Sequence, residues 1–322
     1  MSQRTIQILF ICLSLWTIVP LSIAETLHTI VIADTSNWQG GTSFSKDLSR
    51  IKELAGTIAI YTRLKLRLYE ISGHDLNRNK VTATLDALSV EQNDVVLFHY
   101  AGHGGRTSNK STLWPFMDID GGALDLDKVK SILEQKNPRF LVILADTCNN
   151  FNDSLNPVWS RGGSSRGTTP QSESYRRLFL NYRGHVFASG AKPGQSSWGN
   201  SEHGGFFTDA FIKNLNNELA SSNPNWHSIM KRTEAPIEVG GKVQNPQFKV
   251  NIQPAREGVV QPTEDACYYF YKPEGVLCCR SSRGTTCEAS ALQSESACPE
   301  GGLLMKPGGV LCCRRSTEIT CQ

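Results

Sequence analysis

The sequence predicts an α/β domain with a mostly parallel central sheet and helices on both faces, followed by a small disulfide-rich region at the carboxyl terminus. Residues 140–145 are apolar without a break, and residues 94–100 form a second, mostly apolar run. Such runs are typical of strands that are buried on both faces of a parallel sheet. Amphipathic helical patterns alternate with the strands, which implies right-handed crossovers. Eight of the ten cysteines lie between Cys267 and Cys321, which indicates a cross-linked carboxyl-terminal region.

The predicted elements follow one another from residue 27. Up to residue 145 they are strand 27–33, a helix that Ser45 can cap, strand 64–71, a helix that Asn77 can cap, strand 94–100, a helix capped by Asp125 or Asp127, and strand 140–145. Strand 64–71 alternates apolar and polar residues, which suits a position near the sheet edge. Beyond residue 177 they are strand 185–189, a helix opened by Gly204 and Gly205, a short helix at Trp226, and a last strand after Asn245-Pro246-Gln247.

Two residues that can do covalent chemistry follow the two most apolar strands. Strand 140–145 stops at Asp146, and Cys148 comes two residues later. Strand 94–100 runs into Ala101-Gly102-His103-Gly104-Gly105, so that His103 also lies at the carboxyl end of a strand. Ligands and substrates gather at this edge of open parallel sheets. An imidazole and a thiol are the minimal pair for acyl transfer, and the backbone N–H of Gly104 can stabilise a developing oxyanion.

These motifs resemble those of the caspase-like cysteine peptidases. The order His-Tyr-Ala-Gly-His-Gly and then Ala-Asp-Thr-Cys, with His103 45 residues before Cys148, is similar to that of the metacaspases and bacterial caspase homologues. Those proteins typically show Tyr-Ser-Gly-His-Gly and Asp-Ser-Cys, and a histidine about 50 residues before the cysteine is the known caspase arrangement. The resemblance extends over most of residues 27–250, including Gly205-Phe206-Phe207-Thr208 and the Asn245-Pro246-Gln247 turn.

The resemblance implies a role for each residue of the site. Cys148 would be the nucleophile and His103 the general acid and base, with the N–H groups of Gly104 and Cys148 as oxyanion donors. Asp146, two residues before the cysteine, would line the primary pocket and pair with arginine or lysine, since a carboxylate can bind guanidinium through both oxygens. Asp34, at the end of the first strand, is a second pocket candidate.

The chain departs from the metacaspase pattern at two places. Ala101 stands where metacaspases have serine, so that one polar contact in the pocket is missing. Asn149-Asn150-Phe151 stands where they continue with His-Ser-Gly. Asp146 also has a purely structural interpretation, as a strand-end residue that accepts hydrogen bonds from nearby N–H groups. His99 is expected to be packed or hydrogen-bonded rather than catalytic.

Charge and motif content exclude several other classes of function. A net charge of +3 over 322 residues does not indicate a nucleic-acid-binding protein or a membrane-surface protein. Asp118-Ile119-Asp120-Gly121 is similar to part of a calcium loop, but the twelfth position of that loop would be Val129 and not glutamate. We therefore predict no metal and no cofactor; the looser calcium site of some metacaspases is possible here but has no support in the sequence.

The first 24 residues have the pattern of a signal peptide. Arg4 precedes an apolar run at residues 8–13, and Ser22-Ile23-Ala24 offers small residues for cleavage before Glu25. The alternative is an uncleaved membrane anchor, although polar residues and a proline interrupt the apolar run. The sequence thus predicts a secreted or otherwise extracytoplasmic protein without a stable membrane span after cleavage. In an oxidising compartment the isolated Cys148 needs a reason to stay free, and nucleophilic catalysis is one.

Residues 256–266 are a predicted linker, and residues 267–322 form two cysteine-rich repeats. Lys-Pro-Glu-Gly-Val-Leu-Cys-Cys-Arg at residues 272–280 returns as Lys-Pro-Gly-Gly-Val-Leu-Cys-Cys-Arg at residues 306–314. Each repeat has four cysteines, and disulfides are favoured over zinc because the tail has no histidine and no Cys-x-x-Cys motif. If pairing stays within a repeat and adjacent cysteines do not pair, two connectivities are left open. The ligand of the tail is unknown.

Taken as a whole, residues 25–255 are predicted to be a secreted cysteine endopeptidase domain that acts on polypeptides and cleaves after arginine or lysine. Residues 160–177 are rich in serine, glycine, threonine and arginine, which predicts an exposed loop. With basic specificity, the self-cleavage candidates there are Arg161, Arg166, Arg176 and Arg177. The alternatives are a legumain-like or gingipain-like peptidase with a different pocket, and a catalytically silent secreted protein whose cysteine-rich repeats bind protein or glycan.

Overall fold

The computed structural model describes residues 25–255, except Gln39 and residues 152–171, together with short strands between residues 268 and 321. The predicted signal peptide, the linker at residues 256–266 and the self-cleavage candidates Arg161 and Arg166 lie outside the described residues. Within them, no helix is long and apolar enough to cross a bilayer.

Strands and helices alternate through the main domain. The strands are β1 (Thr26–Ala33), β2 (Lys65–Ser72), β3 (Val95–Ala101), β4 (Gly104–Gly105), β5 (Phe116–Met117), β6 (Leu124–Asp125), β7 (Phe140–Asp146), β8 (Tyr182–Ser189), β9 (Gly199–Asn200), β10 (Gly204–Gly205), β11 (Ile237–Val239), β12 (Lys242–Gln244) and β13 (Gln247–Pro254). The helices are α1 (Gly41–Thr62), α2 (Arg78–Ala87), α3 (Leu126–Gln135), α4 (Ser172–Leu180), α5 (Phe206–Leu219) and α6 (Trp226–Thr233).

Six strands form the central sheet, in the order β13-β8-β7-β3-β1-β2. All neighbours are parallel except β13, which runs antiparallel to β8 at one edge. Apolar residues of α1, α4, α5 and α6 pack on one face, and those of α2 and α3 pack on the other. The predicted α/β architecture is therefore confirmed, and β2 lies at the sheet edge as its alternating pattern predicts. Strands β3 and β7 are neighbours, so the two residues that are predicted to be catalytic follow adjacent strands at the same edge of the sheet.

Most predicted helix starts are correct, and one is wrong. The side chain of Asn77 accepts a hydrogen bond from the Lys80 N–H, and that of Asp125 accepts one from the Asp127 N–H, as N-caps do. Helix α1 instead begins at Gly41, four residues before the predicted cap. The hydroxyl of Ser45 lies inside the helix and donates to the Gly41 carbonyl.

The predicted exposed loop at residues 160–177 is also wrong at its end, because helix α4 begins at Ser172. Its apolar face, with Tyr175, Leu178 and Phe179, is buried against the sheet. Arg176 and Arg177 are therefore helical, and Arg176 donates to the Thr62 carbonyl at 3.4 Å. An extended segment is what a peptidase requires, so these two residues are poor cleavage sites in the folded protein.

The described strands of the tail form two antiparallel sheets of three strands each, one in each repeat. The first consists of β14 (Tyr268–Tyr271), β15 (Leu277–Ser281) and β16 (Gly284–Glu288), and the second of β17 (Leu303–Met305), β18 (Leu311–Arg315) and β19 (Glu318–Cys321). The two repeats thus share one backbone arrangement, in agreement with their repeated sequence.

Candidate active site

The candidate site begins where β3 and β7 end. Ala101 and Asp146 are register partners in the two parallel strands, and the Gly102 N–H donates to the Asp146 carbonyl at 3.3 Å. His103 lies two residues after Ala101, and Cys148 lies two residues after Asp146. The fold therefore brings the predicted imidazole and thiol to the same edge of the sheet on adjacent strands, as expected for parallel strands.

His103 is positioned mainly through its backbone. Its carbonyl accepts hydrogen bonds from the Tyr100 hydroxyl at 2.6 Å and from the Asp118 N–H at 2.9 Å. The half-buried ring contacts Phe44 of α1 edge to face, with centroids 5.8 Å apart. The side chain therefore has an apolar wall on one side and solvent on the other.

Gly104 has to be a glycine at this position. A Cβ atom there would collide with Thr147 Oγ1 and the Phe116 carbonyl, and would lie 3.2 Å from the Cys148 carbonyl. The β3 loop can thus approach the Cys148 loop closely because Gly104 has no side chain. This close approach puts the Gly104 backbone beside the residue that is predicted to be the nucleophile.

Cys148 is a free, half-buried thiol. It donates to the Ser197 carbonyl at 3.5 Å, and no hydrogen bond joins it to the His103 ring in the part of the chain that is described. Burial raises the pKa of the thiol, and the nearby Asp146 acts in the same direction. The thiol is therefore protonated at neutral pH in this arrangement.

Asp34 lies on the His103 side of the site. Its N–H donates to the Ala101 carbonyl at 3.0 Å. Burial raises the pKa of its carboxyl, and the negative charges of Asp120 and Asp118 add to the rise, whereas the nearby His103 opposes it. This second predicted pocket residue thus lies near His103, in an acidic environment. Among the described residues, no group of histidine, cysteine, aspartate or glutamate side chains is arranged to hold a metal ion.

Asp146 is buried, with 5% of its surface exposed, and it accepts three hydrogen bonds. Its Oδ1 accepts from the Ser197 hydroxyl at 2.6 Å, and its Oδ2 accepts from the N–H and the hydroxyl of Thr208, both at 2.9 Å. Thr208 lies in the first turn of α5, so the carboxylate sits at the positive end of that helix. Burial raises the pKa of Asp146, while the hydrogen bonds from Ser197 and Thr208 lower it.

Two further side chains, Gln244 and His99, contact the residues that donate hydrogen bonds to Asp146. No sequence motif identifies Gln244. Gln244 of β12 accepts a hydrogen bond from the Trp198 N–H and donates to the Gly190 carbonyl and to Ser197 Oγ. Because Ser197 Oγ accepts from Gln244, its own hydrogen points to Asp146. One buried amide thereby connects β12 to the loop between β8 and β9 and, through Ser197, to Asp146 at the end of β7.

His99 supports the other partner. Its Nε2 lies 3.1 Å from Thr208 Oγ1, and its Nδ1 has no hydrogen-bond partner. Burial lowers the pKa of His99 to about 3, so the ring is neutral. Since the Thr208 hydroxyl donates to Asp146, His99 donates through Nε2–H. His99 is thus a hydrogen-bonded histidine, in agreement with the expectation from sequence.

The residues after Cys148 form a second buried network. The side-chain amide of Asn149 donates to the carbonyls of Leu113 and Ala191, and its oxygen accepts from Arg106. The Arg106 guanidinium also donates to the carbonyls of Lys110 and Thr112. At one of the two places where the chain departs from the metacaspase pattern, a buried asparagine therefore ties the loop after β7 to the loop after β4.

Most of the chain matches a known protein family. Residues 46–255, or 210 of the 322 residues, match the family model of the peptidase C14 caspase domain. No curated protein shows significant sequence similarity. Among solved structures, the crystal structure of protein GSU0716 from Geobacter sulfurreducens is similar with a TM-score of 0.46 and 13% identity, covering 70% of this chain and 93% of that one. This structural likeness is too low to carry an argument.

Proposed function

Because the chain belongs to the caspase-domain family of cysteine peptidases, we propose that it is an active endopeptidase with Cys148 as nucleophile and His103 as general acid and base. The observation that supports this most is the pairing of β3 with β7. His103 and Cys148 each lie two residues beyond Ala101 and Asp146, the register pair that ends these strands. The substrate class that follows is polypeptide.

In the proposed reaction His103 removes the thiol proton, and the Cys148 thiolate attacks a peptide carbonyl. The oxyanion of the tetrahedral intermediate is stabilised by backbone N–H groups of Gly104 and Cys148. When the intermediate collapses, the C–N bond breaks and His103 gives its proton to the leaving amine. Water, deprotonated by His103, then hydrolyses the thioester and restores the thiol.

The contact between the thiol and the Ser197 carbonyl has to break before this reaction. A thiol that donates to a carbonyl is held in its neutral form, and only the thiolate is nucleophilic. Substrate binding would turn the Cys148 side chain from Ser197 towards His103. Catalytic hydrogen bonds that are absent without substrate often form only in the substrate complex.

For specificity we propose that Asp146 selects arginine or lysine at the cleaved position. Its carboxylate is buried close enough to Cys148 to influence the thiol pKa, and it pairs with no cation among the described residues. A basic side chain of the substrate would supply that missing positive charge. Asp34, which lies on the His103 side of the site, would be a second acidic group for that side chain.

A peptide library that varies the residue before the scissile bond tests this specificity. Wild-type protein should prefer arginine and lysine, and Asp146→Asn should lower kcat/KM for these substrates about ten- to a hundredfold, as expected for the loss of a charged hydrogen bond. Asp118→Asn, which removes an exposed carboxylate near His103, is the matched control and should leave the preference unchanged. A wild-type preference for aspartate would contradict the pocket assignment.

The competing function is a catalytically silent binding protein, which the neutral thiol and its contact with Ser197 favour. Labelling with an arginyl chloromethylketone separates the two. An active enzyme is modified at Cys148, and modification fails after denaturation or in Cys148→Ala. A folded wild-type protein that stays unlabelled would favour the silent alternative.

Secretion and the tail disulfides are further proposals. Expression with residues 1–24 in a secreting host should release a protein that begins at Glu25, and amino-terminal sequencing identifies this end. Non-reducing peptide mapping of the same product should find the tail cysteines paired within each repeat. Of the self-cleavage candidates, Arg161 and Arg166 stay in this proposal, since Arg176 and Arg177 lie in a helix.

A further inference from the structure

A groove of about 530 Å³ lies between helices α2 and α3, outside the candidate active site. Its volume is within the range of sites that bind ligands. Both helices return the chain from the carboxyl edge of the sheet to its amino edge, so they run in the same direction. The groove is about 12 Å long, the rise over eight helical residues. Each wall consists of residues four positions apart, which share one face of a helix: Arg78, Thr82 and Asp86 from α2, and Lys128, Ile132 and Lys136 from α3 and its C-cap.

The two ends of the groove differ in charge. At the end near the carboxyl edge of the sheet, Arg78 and Lys128 are exposed, and neither makes an ion pair or a side-chain hydrogen bond within the described part of the chain. At the other end, Lys136 donates to the Asp86 carbonyl at 3.0 Å, and the Asp86 side chain is exposed, so that one cation and one acid lie together. Positive charge without a compensating acid is therefore concentrated at one end.

Between these ends the groove is partly apolar. Ile132 is half-buried, and Leu124 of β6 is buried with 3% of its surface exposed. A ligand that matches the groove has an anionic group at one end and apolar groups beside it. A molecule that is anionic along its whole length would bring negative charge to Asp86 and is a poorer match.

The positive end of the groove is connected to the loop of His103 by backbone hydrogen bonds. The Arg78 N–H donates to the Asp120 carbonyl at 2.7 Å, and the Asp118 N–H donates to the His103 carbonyl at 2.9 Å. The Cα atoms of Arg78 and His103 are therefore less than about 20 Å apart, a distance that about six extended residues span. A polypeptide that is bound in the groove can thus reach the candidate active site.

We propose that this groove is an exosite, a substrate-binding site away from the catalytic residues, for an acidic and partly apolar segment of the polypeptide substrate. Arg78 and Lys128 bind its carboxylates, and Ile132 and Leu124 contact its apolar side chains. The segment lies about six residues or more after the cleaved bond, because the loop of His103, which protonates the leaving amine, is connected to Arg78. The effect on cleavage rests on the proposed peptidase function, whereas peptide binding does not.

Peptide binding is measured on the full chain with Cys148→Ala, which cannot cleave the probe. The probe is Glu-Glu-Leu-Val-Ser with fluorescein at its carboxyl end, and fluorescence anisotropy gives its Kd. Arg78→Ala/Lys128→Ala should raise the Kd about tenfold, because two exposed ion pairs are lost. Lys80→Ala/Lys213→Ala removes two exposed lysines outside the groove and changes the net charge equally. In this control the Kd should stay within about twofold.

Three results would overturn the binding site. Equal Kd values for the two double variants would mean that the groove does not hold the peptide. Tighter binding of heparin than of the peptide, with the same dependence on Arg78 and Lys128, would assign the groove to a polyanion. A Kd above about 1 mM for the groove with all its residues intact would show that it does not bind such a segment.

Cleavage by wild-type protein tests the exosite role. A long peptide with arginine at the cleaved position and Glu-Glu-Leu-Val about eight residues after it should have a kcat/KM about tenfold above that of its Gln-Gln-Leu-Val counterpart, mainly through KM. Arg78→Ala/Lys128→Ala should abolish this advantage and leave hydrolysis of a short arginyl peptide unchanged. Cleavage without an advantage for the acidic peptide would refute the exosite. Absence of all cleavage would refute the proposed function instead, and the binding measurement would still decide on the groove.

Discussion

On the β3 side of the candidate active site, backbone contacts do most of the positioning, whereas on the β7 side buried side chains do. His103 is held through its carbonyl, and Gly104 and Gly105 next to it are half-buried and have no side chains. Around Cys148, the side chains of Asp146 and Asn149 each make three hydrogen bonds to residues of other loops or of helix α5.

This difference shows that two residues of one site can be positioned by different kinds of contact. Asp146 and Asn149 are each held by several buried hydrogen bonds, so the residues around Cys148, the predicted nucleophile, have little freedom. The loop that carries His103, the predicted base, is held by main-chain contacts and by one aromatic neighbour. These contacts leave the imidazole free to reorient. We therefore expect the thiol to be delivered by a rigid scaffold and the histidine to adapt to the substrate.

The largest effect is expected from Cys148→Ala. Loss of the nucleophile should lower kcat more than about ten-thousand-fold, as in other enzymes with a covalent mechanism. The hydrogen bonds of the thiol, to the Ser197 carbonyl and to Ser196, are weak, so the Tm should change little. Steady-state hydrolysis of a peptide substrate and a thermal melt measure both. Undiminished turnover in this variant would eliminate the assignment.

His103→Ala tests the β3 side and should have the next largest effect. Removal of a general acid and base costs about a hundred- to ten-thousand-fold in kcat. Because the ring is half-buried and partly open to solvent, added imidazole should restore part of the activity. The same imidazole should do nothing for Cys148→Ala, which serves as the control. Full activity of His103→Ala without imidazole would mean that another base acts.

Asn149→Ala tests the rigidity of the β7 side. It removes a donor of the buried Ala191 carbonyl, one of the donors to the Leu113 carbonyl and an acceptor of Arg106, which should cost about 1–3 kcal/mol in the free energy of unfolding. Asp118→Asn, at an exposed position on the β3 side, should stay within about 0.5 kcal/mol. Urea denaturation of both variants gives the comparison, and equal losses would show that the two sides do not differ.

The smallest effect concerns the resting thiol. Because burial raises the pKa of Cys148 above its ordinary 9.0, its alkylation rate should rise about tenfold per pH unit throughout the neutral range. Iodoacetamide labelling followed by mass spectrometry measures this rate, with Cys148→Ala as the blank. A fast rate that does not change with pH would indicate a preformed ion pair with His103.

Much of the fold is predictable because buried strands carry strong local signals. The apolar runs that became β3 and β7 identify the centre of the sheet, and the alternation in β2 identifies its edge. The caps Asn77 and Asp125 are predictable since their side chains act within three residues. Helix α1 starts earlier than predicted because its first turn is held by backbone contacts, such as the Gly41 N–H to the Asn37 carbonyl, that leave no sequence signature.

The candidate site is predictable only where chemistry and strand ends coincide. His103 and Cys148 were placed at one sheet edge by that reasoning, and their catalytic roles stay predictions. Gln244 was not predicted, because it lies on β12, far in sequence from the strand ends that identify the site. Helix α4 was missed at residues 172–177 because the apolar residues that define its face mostly follow the polar stretch.

The hydrogen bond from Cys148 to the Ser197 carbonyl also bears on the durability of the protein. Peroxide oxidises thiolates far faster than thiols, and each step beyond sulfenic acid is difficult to reverse. A sulfur that keeps its proton until a substrate arrives is therefore spared from this damage while idle. The hydrogen bond that keeps the thiol neutral would therefore lengthen the working life of the protein.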